Sequence, residues 1–115
     1  MQPWIMIQTG MVTGWEDKMN IREELGKRML FFDGGLGSLL QARGLKPGEL
    51  PETWNLSKPE ELLAIHKEYL EAGADIILAN TFGANRFKYD HLQEIVEAAV
   101  KNAKKAAEEC GRNAY

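Results

Sequence analysis

The chain has 115 residues, 44% hydrophobic and 27% charged, with a net charge of −3. That is enough for one modest core, it carries no basic footprint for nucleic acid or anionic lipid, and no apolar run approaches the ~20 residues of a spanning helix. One cysteine, Cys110, excludes an internal disulfide and a multi-cysteine metal cage within the chain.

The start, Met1-Gln2-Pro3-Trp4-Ile5-Met6, lacks the positive stretch of a secretion signal, so a cytoplasmic setting is expected. Residues 1–18 show no clear period and read as an extension of uncertain origin, with Met11 and Met19 as alternative starts. Residues 19–115 read as the folded part. Asn20 is placed as a helix N-cap with Glu23 as its capping-box partner, opening a short helix to about Gly26. Met29 to Phe32 is continuously apolar, the pattern of a strand covered on both faces. Leu36 to Ala42 is expected to be a short helix ended by Gly44. Lys46 to Pro51 is a turn-rich linker, pinned by Trp54 and Leu56.

Ser57, Pro59 and Glu60 carry the signals of the next helix start. Leu62, Ile65, His66, Tyr69 and Leu70 follow at helical spacing, and Gly73 closes the helix. Ala74 to Ala79 is the second strand. The last helix, about His91 to Glu109, has the clearest stripe, through Leu92, Ile95, Val96, Ala99, Ala103, Ala106 and Cys110. Gly111 ends it, and Ala114 and Tyr115 enter a third strand. Strands alternating with helices predict a parallel α/β sheet. Two strands do not close a barrel, so the expectation is the amino-terminal piece of something larger.

Chemistry is expected at the carboxyl ends of these strands, where ligands gather in parallel α/β folds. Asp33-Gly34-Gly35 offers a carboxylate for an amino group and bare backbone N–H groups for a carboxylate, which together suit an amino acid. The same residues serve equally as a tight turn with Asp33 capping a helix. Asn80 and Thr81, at the second tip, are placed to donate to a substrate or to brace the neighbouring loop. Arg86 reads as a surface residue, Phe82 as core, Trp54 as a packing anchor and His66 as an amphipathic residue on a half-buried helix face. Cys110 lies on the apolar stripe and reads as structural.

Three stretches carry a resemblance. They are Leu30 to Leu40 with its Asp-Gly-Gly, Leu50-Pro51-Glu52-Thr53-Trp54-Asn55-Leu56, and Ile65 through Ile77 followed by Asn80-Thr81-Phe82-Gly83-Ala84-Asn85-Arg86. Together, from about Asn20 to Tyr115, they resemble the homocysteine-binding domain of homocysteine S-methyltransferases, closest to the cobalamin-dependent branch. The resemblance implies the amino-terminal portion of a (β/α)8 TIM barrel, its first two strands with their helices. It implies methyl transfer to homocysteine to give methionine, on a zinc-held thiolate. In the full-length protein it implies cobalamin and methyltetrahydrofolate, on further domains. Asp33, Gly34 and Gly35, with Asn80 and Thr81, are the substrate-binding residues so implied. The family's cysteine ligands have no match here, so the isolated chain is expected to be inactive. Two alternatives stand beside this reading: a non-catalytic remnant that self-associates, and a relative using betaine or S-methylmethionine as donor.

Overall fold

Across residues 20–115, which the computed structural model describes, the chain forms five α-helices and one 3-10 helix. The expected extension 1–18, with its tryptophans, lies outside them. Helix α1 is Ile21–Glu24, where Asn20 Oδ1 accepts from Arg22 N–H at 3.1 Å. The cap stands where the sequence put it, but its side-chain bond goes to Arg22, and α1 ends at Glu24. Helix α2 is Gly37–Ala42, followed by Gly44 at φ +111°, a left-handed backbone that glycine adopts at no steric cost.

The linker is more structured than expected. A 3-10 helix, Pro51–Thr53, runs into α3, Trp54–Ser57. Ser57 does not cap the next helix, because its hydroxyl donates back to Thr53 O at 3.1 Å. Lys58 stands at that N-cap instead, held at φ −139° and ψ 57° ahead of Pro59. Helix α4 is Pro59–Glu71 and α5 is Leu92–Cys110, the latter closed by Gly111 at φ 66°.

Two apolar clusters hold the helices together. Leu40, Leu45, Trp54, Leu62 and Ile65 form one, with Leu36, Leu39 and Tyr69 packed against it. Leu70, Ala106, Ala107 and Ala114 form the other, with Leu63, Ile77 and Cys110 at its margin. Trp54 is fully buried, and its Nε1–H donates to Glu49 Oε2 at 2.9 Å. Lys58 Nζ lies 4.3 Å from its ring centroid. Leu56 is 48% exposed and so does not pin the linker. Small residues on the inner stripe of α5 let it lie close against α4, and Asn102, off the expected stripe, is buried with them.

The expected strands are reduced to a single parallel bridge between Phe32 and Ile76. Its two bonds run from Ile76 N–H to Phe31 O at 3.0 Å and from Asp33 N–H to Ile76 O at 2.9 Å. A parallel ladder would continue with Phe31 N–H to Ala74 O and Leu78 N–H to Asp33 O. In both places a carboxylate takes the amide instead. Phe31 N–H donates to Asp75 Oδ2 at 3.0 Å, and Leu78 N–H donates to Asp33 Oδ2 at 3.0 Å. Each segment therefore grips the other through one aspartate, and the regular ladder stops after one rung. The coverage on both faces expected for Met29 to Phe32 is absent too. Met29, Phe31, Phe32 and Leu78 are exposed, because among the described residues the helices do not cover them.

A third extended segment pairs on the far side. Tyr115 N–H donates to Asp75 O at 2.9 Å and accepts at its carbonyl from Ile77 N–H at 3.0 Å, again in parallel sense. The order across the molecule is thus Phe32, Ile76, Tyr115. No helix among the described residues is long and apolar enough to cross a membrane.

Asp75 ties the amino-terminal end of this arrangement. Besides Phe31, it accepts from Arg28 Nη1 at 3.2 Å and Arg112 Nη2 at 3.4 Å. The Phe31 N–H and then the two guanidinium groups hold its carboxyl below the ordinary value. Replacing Asp75 by Ala strands a backbone N–H and leaves two cations facing one another, which should cost about 2–3 kcal/mol. Thermal unfolding of Asp75→Ala should begin at clearly lower temperature than wild type; an unchanged midpoint would show the clamp to be idle.

Candidate functional site

The parallel pairing puts the carboxyl ends of both segments on one edge. At the first tip, Asp33 is fastened through its own N–H to Ile76 O and through Oδ2 to Leu78 N–H. It does not cap α2, whose N-cap is Leu36 with no side-chain bond. Gly34 and Gly35 are exposed, and no hydrogen bond among the described residues engages their N–H groups. Tyr69, from α4, lies directly beneath them and donates to Gly35 O at 2.5 Å. A Cβ on Gly34 would stand 3.0 Å from the Tyr69 hydroxyl and 3.3 Å from its ring. A side chain there would need the Tyr69 ring to give way by a few tenths of an ångström.

The second tip is held from below. Asn80 is buried, and its Nδ2 donates to Pro51 O at 3.1 Å and to Asn55 Oδ1 at 2.9 Å. Asn55 Nδ2 returns bonds to Asn80 O at 2.9 Å and Ile95 O at 3.2 Å, while Asn102 Nδ2 donates to Asn55 O at 3.2 Å. Of the two roles open to Asn80, the amide is spent on bracing. Thr81 is half-buried on the same edge, its backbone tied in turns to Ala79 and Ala84.

Beyond it, buried Glu52 accepts from Gly83 N–H at 2.7 Å and from the Tyr89 hydroxyl at 2.6 Å. Burial, then the hydrogen bond to Glu52, pushes the Tyr89 phenol far above its usual range. Anchored at Gly83 and Tyr89, the loop turns its other aromatics outward. Phe82, expected in the core, is fully exposed, as is Phe87. Arg86 is also exposed.

Asp33, Gly34, Gly35 and Thr81 therefore gather on one edge, with Asn80 under it. Sequence reasoning missed the braces Glu52, Asn55, Tyr69 and Tyr89. Only Tyr69 had a local signal, standing three residues from His66 on the same helical face. Among the described residues, no cluster of three or more His, Cys, Asp or Glu side chains is placed to hold a metal ion. Cys110 is a free thiol at the margin of the Leu70–Ala106 cluster. The zinc that the resemblance implies thus finds no ligand set here.

His66 is fully buried on α4, not half-buried. Burial lowers its pKa from the ordinary 6.5, partly opposed by the negative charge of Asp33. A histidine with a lowered folded pKa binds protons more readily when unfolded. Its contribution to stability is complete above about pH 6.5 and is lost as pH falls through and below that value. The lowered pKa of Asp75 acts in a separate window, nearer its ordinary 3.8 and below. Thermal midpoints measured from pH 7.5 to 5 should decline in wild type and decline less in His66→Gln; parallel curves would remove His66 as the cause.

The chain matches the family model described as Homocysteine S-methyltransferase over residues 30–115. It is 30% identical to a protein named methionine synthase from Mycobacterium tuberculosis, over 104 residues, covering 80% of this chain and 9% of that protein. It is 38% identical to a methionine synthase from Mycobacterium leprae over 74 residues, covering 57% of this chain and 6% of that protein. The chain spans less than a tenth of the length of these relatives. The match covers both strand tips and the braces beneath them, and the chain belongs to the homocysteine S-methyltransferase family.

Proposed function

We propose that these residues form the amino-acid-binding half of a homocysteine site, in a homocysteine S-methyltransferase of the methionine synthase type. In this reading the paired segments are the first units of a (β/α)8 barrel. The observation that carries it is the Asp33 Oδ2 bond to Leu78 N–H, which locks the two tips side by side. Oδ2 has lone-pair capacity left to accept from the ammonium group of homocysteine. The N–H groups of Gly34 and Gly35, residues that are themselves exposed, are suited to its carboxylate. The pair would orient the substrate by its charged end and leave the sulfur to be presented elsewhere. Zinc, which would hold that sulfur as a thiolate, and methylcobalamin recharged by methyltetrahydrofolate belong to other residues of a full-length protein.

Titration calorimetry with L-homocysteine and with 4-mercaptobutyrate, which lacks the ammonium group, tests this. Homocysteine should bind and mercaptobutyrate should bind at least about tenfold more weakly, since a charge-assisted bond contributes roughly 1.5–3 kcal/mol. Asp33→Asn should erase most of that difference, and Gly34→Ala should weaken homocysteine by displacing Tyr69. Equal affinity for both ligands would refute the ammonium contact.

A second property accompanies the first. Met29, Phe31, Phe32, Leu78, Phe82 and Phe87 are all exposed, and exposed apolar area of this kind favours association. The isolated chain should show an apparent mass that rises with concentration in light scattering after size exclusion. A constant monomer mass would rule this out.

A further inference from the structure

Three buried side-chain atoms among the described residues have no hydrogen-bond partner, and they sit on just two residues: Oδ1 of Asp33, and Nδ1 and Nε2 of His66. Buried polar groups are nearly always paired, because leaving them unpaired forfeits a large share of a domain's net stability. That the orphans occur together makes a shared solution the economical one. The negative charge of Asp33 partly offsets the lowering of the His66 pKa by burial. Helix α4 brings them into proximity. Residues three apart share a helical face, and Tyr69, three beyond His66, is docked on the Gly34–Gly35 turn. His66 shares that helical face, one turn from Tyr69.

The donor count then constrains the chemistry. A carboxylate only accepts, whereas a neutral imidazole has one N–H donor and one acceptor nitrogen. Burial keeps His66 neutral, so it has a single proton to give. We infer that His66 is a positioning residue for Asp33: one buried water relays its imidazole N–H to Oδ1, neither atom having a protein partner within hydrogen-bond reach, and so aims Oδ2 at the strand tips. The carboxylate is then held at both oxygens, by Leu78 N–H on one and by His66 through that water on the other. One tautomer of His66 is selected by this bond. The consequence for ligand affinity rests on the homocysteine reading above; the pairing itself does not.

Nitrogen-15 NMR of the His66 ring at neutral pH decides the pairing without any ligand. Wild type should show one neutral tautomer, with its ring proton exchanging slowly. Asp33→Asn should move both ring nitrogen resonances and speed that exchange by roughly tenfold or more. Two tautomers in comparable amounts, or resonances indifferent to residue 33, would overturn the inference. Calorimetry then reads the consequence. His66→Leu should weaken homocysteine by about tenfold, and His66→Gln, which keeps a donor, should recover most of the loss. A higher melting temperature for His66→Leu with unchanged affinity would also overturn it. If wild type binds no homocysteine while the NMR signature is present, the functional reading fails and the pairing stands.

Discussion

Two aspartates, each accepting from the other segment's backbone, are the constraint on which this arrangement depends. One parallel rung is too little to align two segments, since each residue fixed costs about 1–2 kcal/mol of backbone entropy. Asp75 and Asp33 take the amides on either side of that rung, Phe31 N–H and Leu78 N–H. Register is thereby set by side chains of fixed sequence position. A one-residue slip would leave both carboxylates without their amides.

The same pair divides the structure into ends of different use. At the amino-terminal end, Asp75 sits among Arg28 and Arg112 and has its charge neutralised by them. No cation pairs with Asp33 among the described ion pairs, which is compatible with the ammonium contact proposed above. In the proposed reading, stability is concentrated at one end and recognition at the other, the division expected of parallel α/β units. The Pro51–Asn55 segment completes the division by supporting the second tip through Asn80, Gly83 and Tyr89.

Local signals in the sequence did not carry the helices of the linker, but they carried α1, α2, α4 and α5, the caps at Asn20 and Gly111, the stripe of α5 and the strand-tip motif. These depend on spacing within a few residues, and so they could be read without a fold. What escaped was long-range. Nothing near Glu52 indicates that it reaches Gly83 and Tyr89, 31 and 37 residues away. The apolar run Met29 to Phe32 suggested burial on both faces, but periodicity reports what a segment is suited to and not what covers it. Phe82 misled for a similar reason: its loop is anchored by polar groups, which leaves the large apolar side chain outside. Asn80 was open to two roles because an amide can serve a ligand or a neighbour equally well. In the structure its Nδ2 donates to Pro51 O and Asn55 Oδ1, a bond pattern no local sequence signal shows.

The carboxylate clamps are defined by which atoms accept the two flanking amides. Scalar couplings across hydrogen bonds, measured by NMR on labelled protein, identify the acceptor carbon for each. The prediction is coupling from the Leu78 nitrogen to the side-chain carboxyl carbon of Asp33, and from the Phe31 nitrogen to that of Asp75. Couplings to the backbone carbonyls of Asp33 and Ala74 would reveal an ordinary ladder and contradict the carboxylate clamps.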